Sequence, residues 1–250
     1  MQLPIEWLPA DGNPEQLILL LHGWGSEAMA MAPLAQALRS AFPQAAVLAP
    51  DAPSVHGRGR ATRPQKDGAP RQQKDGAARQ WYSIAGLTPE VWAERVATAL
   101  PGLQAWVRAQ QQRLGVGPAA TALGGFSQGA ILSLALALQD DGIAGRVLAF
   151  GGRLVVEPQA APRHTTVHLF HGADDKVLPV EGARQALAWL GELQGDATLD
   201  IAHGVGHELH PALIDCALHR LKNHIPLRTW QAALGAASAT AHSTADDRDA

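Results

Sequence analysis

Continuous apolar runs recur along the chain, and stretches with apolar residues at helical spacing separate them. The first run covers residues 16–21, with the sequence Gln-Leu-Ile-Leu-Leu-Leu, and a second run covers residues 46–49. A strand that is buried on both faces of a parallel sheet has this near-continuous apolar character. The same pattern predicts four later strands, at residues 119–124, 146–150, 166–170 and 197–202.

The segments between these strands have the periodicity of helices. Helices are predicted at residues 30–42, 89–114, 128–139, 180–194 and 208–224. The longest begins with Thr88 as N-cap and Pro89 at the first helical position. Pro101, followed by Gly102, predicts a break or kink inside it. Alternating strands and helices with apolar strand cores predict an α/β protein with a doubly wound, mostly parallel sheet and helices on both faces.

Two segments fall outside this alternation, and the rest of residues 1–229 is predicted to form one domain. Residues 55–80 are polar and basic and contain a tandem repeat, with residues 65–72 followed by the similar 73–80. The repeat is too short for a solenoid, so we expect a flexible surface insertion. A solvated loop without function is the simpler interpretation, and a mobile flap or an anion site is the alternative. Residues 230–250 are of low complexity, which predicts a disordered tail.

Composition and charge narrow the classes of partner. The chain has 250 residues with 46% hydrophobic and 17% charged residues, and its net charge of −3 gives no electrostatic reason to expect nucleic acid or a membrane surface. The single cysteine, Cys216, suits a reducing compartment. No signal peptide is apparent, and no apolar run reaches the roughly 20 residues that span a bilayer. We therefore expect a cytoplasmic protein without stable membrane insertion, and homodimerisation stays open.

The candidate chemistry begins at Gly125-Phe126-Ser127-Gln128-Gly129, a Gly-x-Ser-x-Gly motif. It lies between an apolar run that ends at Leu123 and a strongly apolar helical run, which is the strand–turn–helix context of a nucleophile elbow. Such a turn forces the serine into a strained backbone conformation, and glycines two positions away avoid collision with the neighbouring helix or strand. Ser127 is therefore the predicted nucleophile, at the positive end of the following helix.

A serine nucleophile needs a base, and the base needs an orienting acid. In α/β-hydrolases the acid and then the histidine follow the serine along the chain, each on a loop at the C-terminal end of a strand. The last two predicted strands are followed by Asp174 and Asp175 and by His203 and His207. The order therefore fits a triad, although spacing favours Asp175 and His207 over their neighbours only weakly.

Acyl transfer also needs two hydrogen-bond donors for the oxyanion of the tetrahedral intermediate. In this fold they are the backbone N–H after the nucleophile, here that of Gln128, and one from the loop after an early strand. The early loop is His22-Gly23-Trp24-Gly25, in which the N–H of Trp24 is well placed. The Trp24 side chain could wall the acyl pocket, and core packing explains it equally well.

Five segments together resemble the phospholipase/carboxylesterase family, which includes acyl-protein thioesterases and small bacterial esterases. They are HGWG, RQWYS, GFSQGA, HGADDKVLP and GVGH, and the similarity covers roughly residues 14–225. The resemblance implies an α/β-hydrolase that needs no cofactor. Its substrates would be small-molecule carboxylic esters, thioesters or lysophospholipids. It implies Ser127 as nucleophile, Asp175 as orienting acid, His207 as general base, Trp24 and Gln128 as oxyanion donors, and Trp81 near the substrate pocket.

The chain departs from the family pattern at three places. Ser26 stands where the family usually has Asp, Lys176 stands where Pro is common, and the tandem insertion directly precedes Trp81. None of these departures removes the triad. The last two are expected to change substrate size and turnover.

Two other functions fit parts of the sequence. A peptidase or amidase of the same fold would use the same triad, and a catalytically silent protein could bind a partner through the basic residues 58–79. The closely spaced His203, His207 and His210 do not form an H-E-x-x-H pattern, and the chain has no cysteine cluster. No metal site is therefore predicted.

Overall fold

The computed structural model describes residues 4–10, 13–55 and 78–233. Most of the predicted insertion, residues 56–77, and most of the predicted tail, residues 234–250, lie outside the described residues. Residues 227–233 are helical, so the tail predicted from residue 230 onwards begins with four residues of helix.

The described chain alternates between strands and helices. The strands are β1 (Ile5–Trp7), β2 (Gln16–Leu21), β3 (Ala45–Ala49), β4 (Ser54–Val55), β5 (Arg79–Gln80), β6 (Thr121–Phe126), β7 (Arg146–Phe150), β8 (Thr166–Gly172) and β9 (Ala197–Ala202). The helices are α1 (Ala32–Ala41), α2 (Pro89–Leu114), α3 (Gln128–Gln139), α4 (Glu181–Glu192) and α5 (Pro211–Asn223). Short 3₁₀ turns precede α1 and β6. None of these helices combines the length and the apolar character needed to cross a bilayer.

Seven strands form one sheet in the order β1-β3-β2-β6-β7-β8-β9. All neighbours pair in parallel except β1, which runs antiparallel to β3 at the edge. Apolar side chains of α2, α3 and α4 pack on one face of the sheet, and those of α1 and α5 pack on the other. The predicted doubly wound, mostly parallel sheet is therefore confirmed, and both faces are covered as the continuous apolar strands require.

The chain changes its direction of winding between β2 and β6. These strands are neighbours in the sheet, with Leu21 at the end of β2 paired with Gly125 near the end of β6. The helix after β2 packs on one face and the helix after β6 packs on the other. At such a topological switch point a crevice opens at the C-terminal ends of the strands. The loop after β2 (residues 22–26, the β2 loop) therefore lies beside the start of α3.

Helix α2 corrects one sequence prediction. Its start is as predicted, because Thr88 Oγ1 accepts the N–H of Val91 at 3.3 Å and Pro89 is the first helical residue. Of the predicted break or kink at Pro101, the break is wrong, since the helix runs without interruption to Leu114. Pro101 removes the hydrogen bond to the carbonyl of Ala97, but both residues are exposed, so water can satisfy that carbonyl.

The two ends of the predicted insertion pair with each other. Strands β4 and β5 form an antiparallel ladder in which Ser54 faces Gln80 and Val55 faces Arg79. Arg79 also joins the β2 loop, because its C=O accepts the N–H of Gly25 at 2.8 Å and its N–H donates to Ser26 O at 3.0 Å. The described residues on either side of the gap at 56–77 therefore lie beside the switch-point crevice.

Candidate active site

Ser127 occupies a strained turn between β6 and α3. Its backbone has φ 55° and ψ −113°, and Gln194 is the other non-glycine residue with positive φ in the described part of the chain. The conformation is held by main-chain hydrogen bonds, from Ser127 N–H to Phe150 O at 2.9 Å and from Ile131 N–H to Ser127 O at 3.0 Å. A strained residue that its surroundings hold in place is typical of a nucleophile elbow.

The two glycines of the motif are required by close packing. A Cβ on Gly125 would lie 2.3 Å from the carbonyl carbon of Gly129, in the first turn of α3. A Cβ on Gly129 would lie 2.0 Å from the main-chain oxygen of Leu21 in β2. The elbow thus brings helix α3 against two strands at distances that only glycine allows.

Ser127, His207 and Asp175 form a continuous hydrogen-bonded chain. Ser127 Oγ lies 2.9 Å from His207 Nε2, and His207 Nδ1 lies 2.6 Å from Asp175 Oδ2. The imidazole also packs on the ring of Phe126, with 4.7 Å between the ring centroids. A carboxylate that accepts the Nδ1–H leaves Nε2 free to accept the serine proton, which is the arrangement of a Ser-His-Asp triad.

The carboxylate of Asp175 is buried and held by its own loop. Its Oδ1 accepts the main-chain N–H groups of Val177 at 2.8 Å and Leu178 at 2.9 Å. These two bonds orient the carboxylate so that Oδ2 faces the imidazole of His207. His171 lies on the same side, with Nε2 at 3.3 Å from Oδ2 and at 2.7 Å from Leu178 O.

The structure separates the alternatives that the sequence left open. Asp174 is exposed, and its main-chain N–H donates to Val205 O at 2.9 Å. His203 is also exposed, on the turn after β9. His210 caps α5, where its Nδ1 accepts the N–H of Ala212 at 3.2 Å. Of the neighbouring acids and histidines, the structure thus brings Asp175 and His207 to Ser127 and directs the others elsewhere.

The two predicted oxyanion donors lie on adjacent segments. Gln128 is the first residue of α3, and the N–H groups of a first helical turn have no acceptor within the helix. Trp24 lies in the β2 loop, which passes close to the nucleophile, because a Cβ on Gly23 would be 3.4 Å from the Cβ of Ser127. The indole of Trp24 is 37% exposed and donates to Gln80 Oε1 at 3.1 Å.

A cavity of about 660 Å³ opens at Ser127 and His207. Most of its lining is apolar, and among the described residues Glu208 is the one acidic or basic side chain that lines it besides His207. Further lining residues are Trp24, Met31, Tyr82, Ile84, Leu87, Trp92, Phe126, Ile131, Val177, Leu178 and Leu209. The volume and the mostly apolar lining are those of a small-molecule site.

Trp81 lies behind this cavity and does not line it. Its side chain is 5% exposed, its indole N–H donates to His22 O at 2.8 Å, and its main-chain N–H donates to Gln128 Oε1 at 3.0 Å. The next residue, Tyr82, lines the cavity and accepts the indole N–H of Trp92 on its hydroxyl at 3.1 Å. Tyr82 and Trp92 were not predicted as site residues. The available signals were that Tyr82 follows Trp81 and that Trp92 lies in the first turn of a predicted helix.

Burial changes the protonation of two groups at the site. It raises the pKa of Tyr82 to about 12, so the phenol stays protonated at neutral pH. Burial also lowers the pKa of His22, whose Nε2 accepts the N–H of Ala52 at 3.0 Å. His22 is therefore neutral with its proton on Nδ1, which faces Gly23 O at 2.7 Å.

A model of the phospholipase/carboxylesterase family matches residues 8–225. The chain belongs to the phospholipase/carboxylesterase family. Esterase YpfH of Escherichia coli strain K12 is 37% identical to it over 224 residues, which span 90% of this chain and 89% of the relative. The resemblance inferred from the five sequence segments is thus confirmed at the level of the family.

Solved structures agree with this family assignment. The crystal structure of esterase PE8 has a TM-score of 0.75 and 30% identity, and the match covers 89% of this chain and 98% of that one. A Bacillus cereus carboxylesterase has a TM-score of 0.69 at 16% identity, over 86% of this chain and 91% of that one, which is a likeness of fold alone. The predicted α/β-hydrolase fold is confirmed.

Two of the departures from the phospholipase/carboxylesterase pattern lie at the site. Ser26 lines the cavity, and its C=O accepts the N–H of Arg79. Lys176 is exposed, beside the buried Asp175. The interior of the insertion lies outside the described residues.

Proposed function

We propose that the protein is a serine hydrolase that cleaves carboxylic esters through an acyl-enzyme on Ser127. His207 is the general base and Asp175 orients it. The observation that carries the proposal is the pair of hydrogen bonds that link Ser127 Oγ to His207 at 2.9 Å and His207 to Asp175 at 2.6 Å, beside an apolar cavity. Membership of the phospholipase/carboxylesterase family supports the same reaction.

The first half of the reaction forms the acyl-enzyme. Ser127 Oγ attacks the ester carbonyl carbon while its proton moves to His207 Nε2. The resulting oxyanion is stabilised by the N–H groups of Trp24 and Gln128. When the intermediate collapses, the bond to the leaving alkoxide breaks, and His207 returns its proton to that oxygen to release the alcohol.

The second half repeats these steps with water. His207 takes a proton from a water molecule, whose oxygen attacks the acyl carbon of the Ser127 ester. The second tetrahedral intermediate expels Ser127 Oγ, which regains the proton from His207, and the carboxylic acid leaves. The net reaction is ester plus water to acid plus alcohol, and a thioester follows the same course with a thiol as the leaving group.

The cavity lining supports esters over peptides as substrates. A peptide chain in this cavity would bury several amide groups, and each amide without a partner costs roughly 1–3 kcal/mol. The lining offers few partners, because the Gln128 side chain is already bonded to Trp81 and Tyr82, and Tyr82 Oη accepts from Trp92. An acyl chain buries only apolar surface there. Ester, thioester and lysophospholipid substrates therefore fit better than peptides do.

The experiment that tests the proposal compares three substrates with one acyl group. We expect the p-nitrophenyl ester and the thiophenyl ester of butyrate to be hydrolysed, and the butyryl p-nitroanilide to be cleaved at least about 1,000-fold more slowly. A comparable rate on the anilide would favour the amidase alternative. No turnover of any of the three substrates by folded protein would refute hydrolysis.

A further inference from the structure

Four consecutive residues, Arg79 to Tyr82, contact both segments that carry the proposed oxyanion donors. Arg79 pairs with the β2 loop through its main chain, and its guanidinium donates to Ala52 O at 2.9 Å. Gln80 accepts the indole N–H of Trp24 at 3.1 Å. This segment, which we call the 79–82 segment, includes the last two residues of the predicted insertion and lies between the β2 loop and α3.

On the β2 loop, the peptide groups around Trp24 are fixed one by one. The indole N–H of Trp81 donates to His22 O at 2.8 Å, and the imidazole of His22 is bonded to Gly23 O at 2.7 Å. The C=O of Gly23 and the N–H of Trp24 belong to one planar, trans peptide group, so they point in opposite directions. A bond that holds the carbonyl of Gly23 therefore also sets the direction of the Trp24 N–H.

The tautomer of His22 determines that its ring donates a hydrogen bond to the carbonyl of Gly23. Its Nε2 accepts the N–H of Ala52 at 3.0 Å, so the proton is on Nδ1 and is donated to Gly23 O. The ring is fully buried and packs on Trp81, with 5.4 Å between the ring centroids. Trp81 thus supports the peptide group of Trp24 indirectly, through its bond to His22 O on the preceding peptide group and through its contact with the His22 ring.

On the α3 side, the amide side chain of Gln128 forms hydrogen bonds with the main chain of the 79–82 segment. Its Oε1 accepts the N–H of Trp81 at 3.0 Å, and its Nε2 donates to Tyr82 O at 2.8 Å. The side chain of Gln128 is buried, so both of its polar ends are paired inside the protein. The residue that supplies one proposed donor is therefore tied directly to the residue that supports the other.

We propose that Trp81 is a positioning residue for the oxyanion hole. Trp81 fixes the Trp24 peptide group through His22 and holds it in place relative to Gln128. The inference rests on the proposed function, because it assigns a role in forming the tetrahedral intermediate. Trp81 does not touch the acyl group. It holds two donors from different segments at the spacing that one oxygen atom requires, and such preorganisation stabilises the transition state more than the bound substrate.

The test is the Trp81→Phe variant, which keeps an aromatic ring in the core and removes the N–H that donates to His22 O. We expect kcat for p-nitrophenyl butyrate to fall about 10-fold, because small displacements of a preorganised donor cost up to about 100-fold in rate. KM should stay within about twofold. The inhibition constant of butaneboronic acid, which forms a tetrahedral adduct on the serine, should rise by the same factor as kcat falls.

Two other Trp→Phe variants serve as comparisons. Trp230→Phe changes an exposed residue outside the site, and all three parameters should stay within about twofold of the wild type. Trp92→Phe removes a hydrogen bond to Tyr82 in the cavity wall, so KM should change more than kcat. If Trp81→Phe behaves like Trp92→Phe, Trp81 is a substrate-binding residue and the inference is wrong.

Folding is checked separately. Thermal unfolding of each variant shows whether Trp81→Phe is folded. A second variant, Gln128→Met, removes both side-chain bonds to the 79–82 segment. It should give the same fall in kcat with little change in KM. A folded Trp81→Phe or Gln128→Met protein with wild-type kcat and wild-type boronic acid inhibition would overturn the inference. Absence of ester hydrolysis in the wild type would instead refute the proposed function.

Discussion

Asp174 and Asp175 are neighbours in the sequence, yet their carboxylates lie in different environments. Asp175 is buried, and each of its oxygens has a defined partner: Oδ1 accepts the N–H groups of Val177 and Leu178, and Oδ2 accepts from His207. Asp174 is exposed. The difference makes the two residues a matched pair for testing the role of the acid.

We predict that Asp175→Asn lowers kcat by about 10³- to 10⁴-fold, as comparable changes do in other serine hydrolases. The Asn amide has one accepting oxygen. If this oxygen accepts the two loop N–H groups, the amide NH₂ faces His207 Nδ1–H, and two donors meet. The imidazole would then take the wrong tautomer, with Nε2 protonated towards Ser127. Asp174→Asn should keep kcat within about twofold, and steady-state kinetics of the two variants measures the contrast.

The sequence could identify Ser127 but could not choose the partners with certainty. The elbow is a local feature, because the glycines, the strand and the helix that define it all lie within a few residues of the serine. The choice between His203 and His207 depends on the path of a loop after β9, 80 residues away from Ser127 along the chain. Trp81 shows the same limit, since its indole points to His22 and away from the cavity, which is a matter of tertiary packing.

At the scale of elements, the elbow depends on how closely α3 approaches β2. Gly129 lies where a Cβ would be 2.0 Å from Leu21 O, and main chain on both sides prevents easy relaxation. Gly102 in α2 is exposed, and a Cβ there would meet no atom within 4 Å. These two helical glycines therefore have opposite consequences for substitution.

Gly129→Ala is expected to lower the free energy of unfolding by about 3 kcal/mol, at the upper end of overpacking costs, because helix α3 must move away from the sheet. Gly102→Ala should raise it by about 0.5–1 kcal/mol, since alanine restricts the unfolded chain and has the higher helix propensity. Urea denaturation of both variants measures these changes. Equal effects of the two substitutions would contradict the close approach of α3 to β2.

The elements themselves were largely predictable, with boundary errors of a few residues. Strands β2, β7 and β9 and helices α2 and α3 were predicted from their apolar patterns with the bounds that the structure has. Strand β1 was missed because three residues are too few to show a period, and it is held by pairing with β3. The β4–β5 ladder was missed because its strands come from the two ends of the insertion and pair only in the folded chain.

For the whole molecule, a buried histidine couples folding to pH. His168 in β8 is fully buried, with Nδ1 bonded to Thr198 Oγ1 at 2.8 Å. Burial, with smaller contributions from His224 and Arg146, lowers its pKa to about 3. The usual pKa of about 6.5 applies in the unfolded chain. The unfolded state therefore binds a proton at His168 below pH 6.5 that the folded state does not bind until about pH 3. The free energy of unfolding consequently decreases as the pH falls from 6.5 towards 3.

We predict that His168→Leu reduces the acid sensitivity of the fold. Between pH 6.5 and 5 the wild type should lose up to about 2 kcal/mol more free energy of unfolding than the variant, at about 1.4 kcal/mol per pH unit. Urea denaturation at the two pH values measures the difference. The same loss in both proteins would show that protonation of His168 does not contribute.

For the whole chain, the fold, the family and the position of the elbow all agree with a hydrolase. The silent-binding alternative depends on the basic residues 58–79, most of which lie outside the described residues. It requires no activated serine, whereas the proposed hydrolase requires one. The state of Ser127 therefore separates the two functions.

The most direct measurement is the intact mass of the protein after reaction with a fluorophosphonate ester, which phosphonylates activated serines. We expect one adduct per wild-type chain and none on Ser127→Ala under the same conditions. Circular dichroism of both proteins shows that they are folded. A folded wild type without adduct, or equal labelling of Ser127→Ala, would contradict the assignment of Ser127 as the nucleophile.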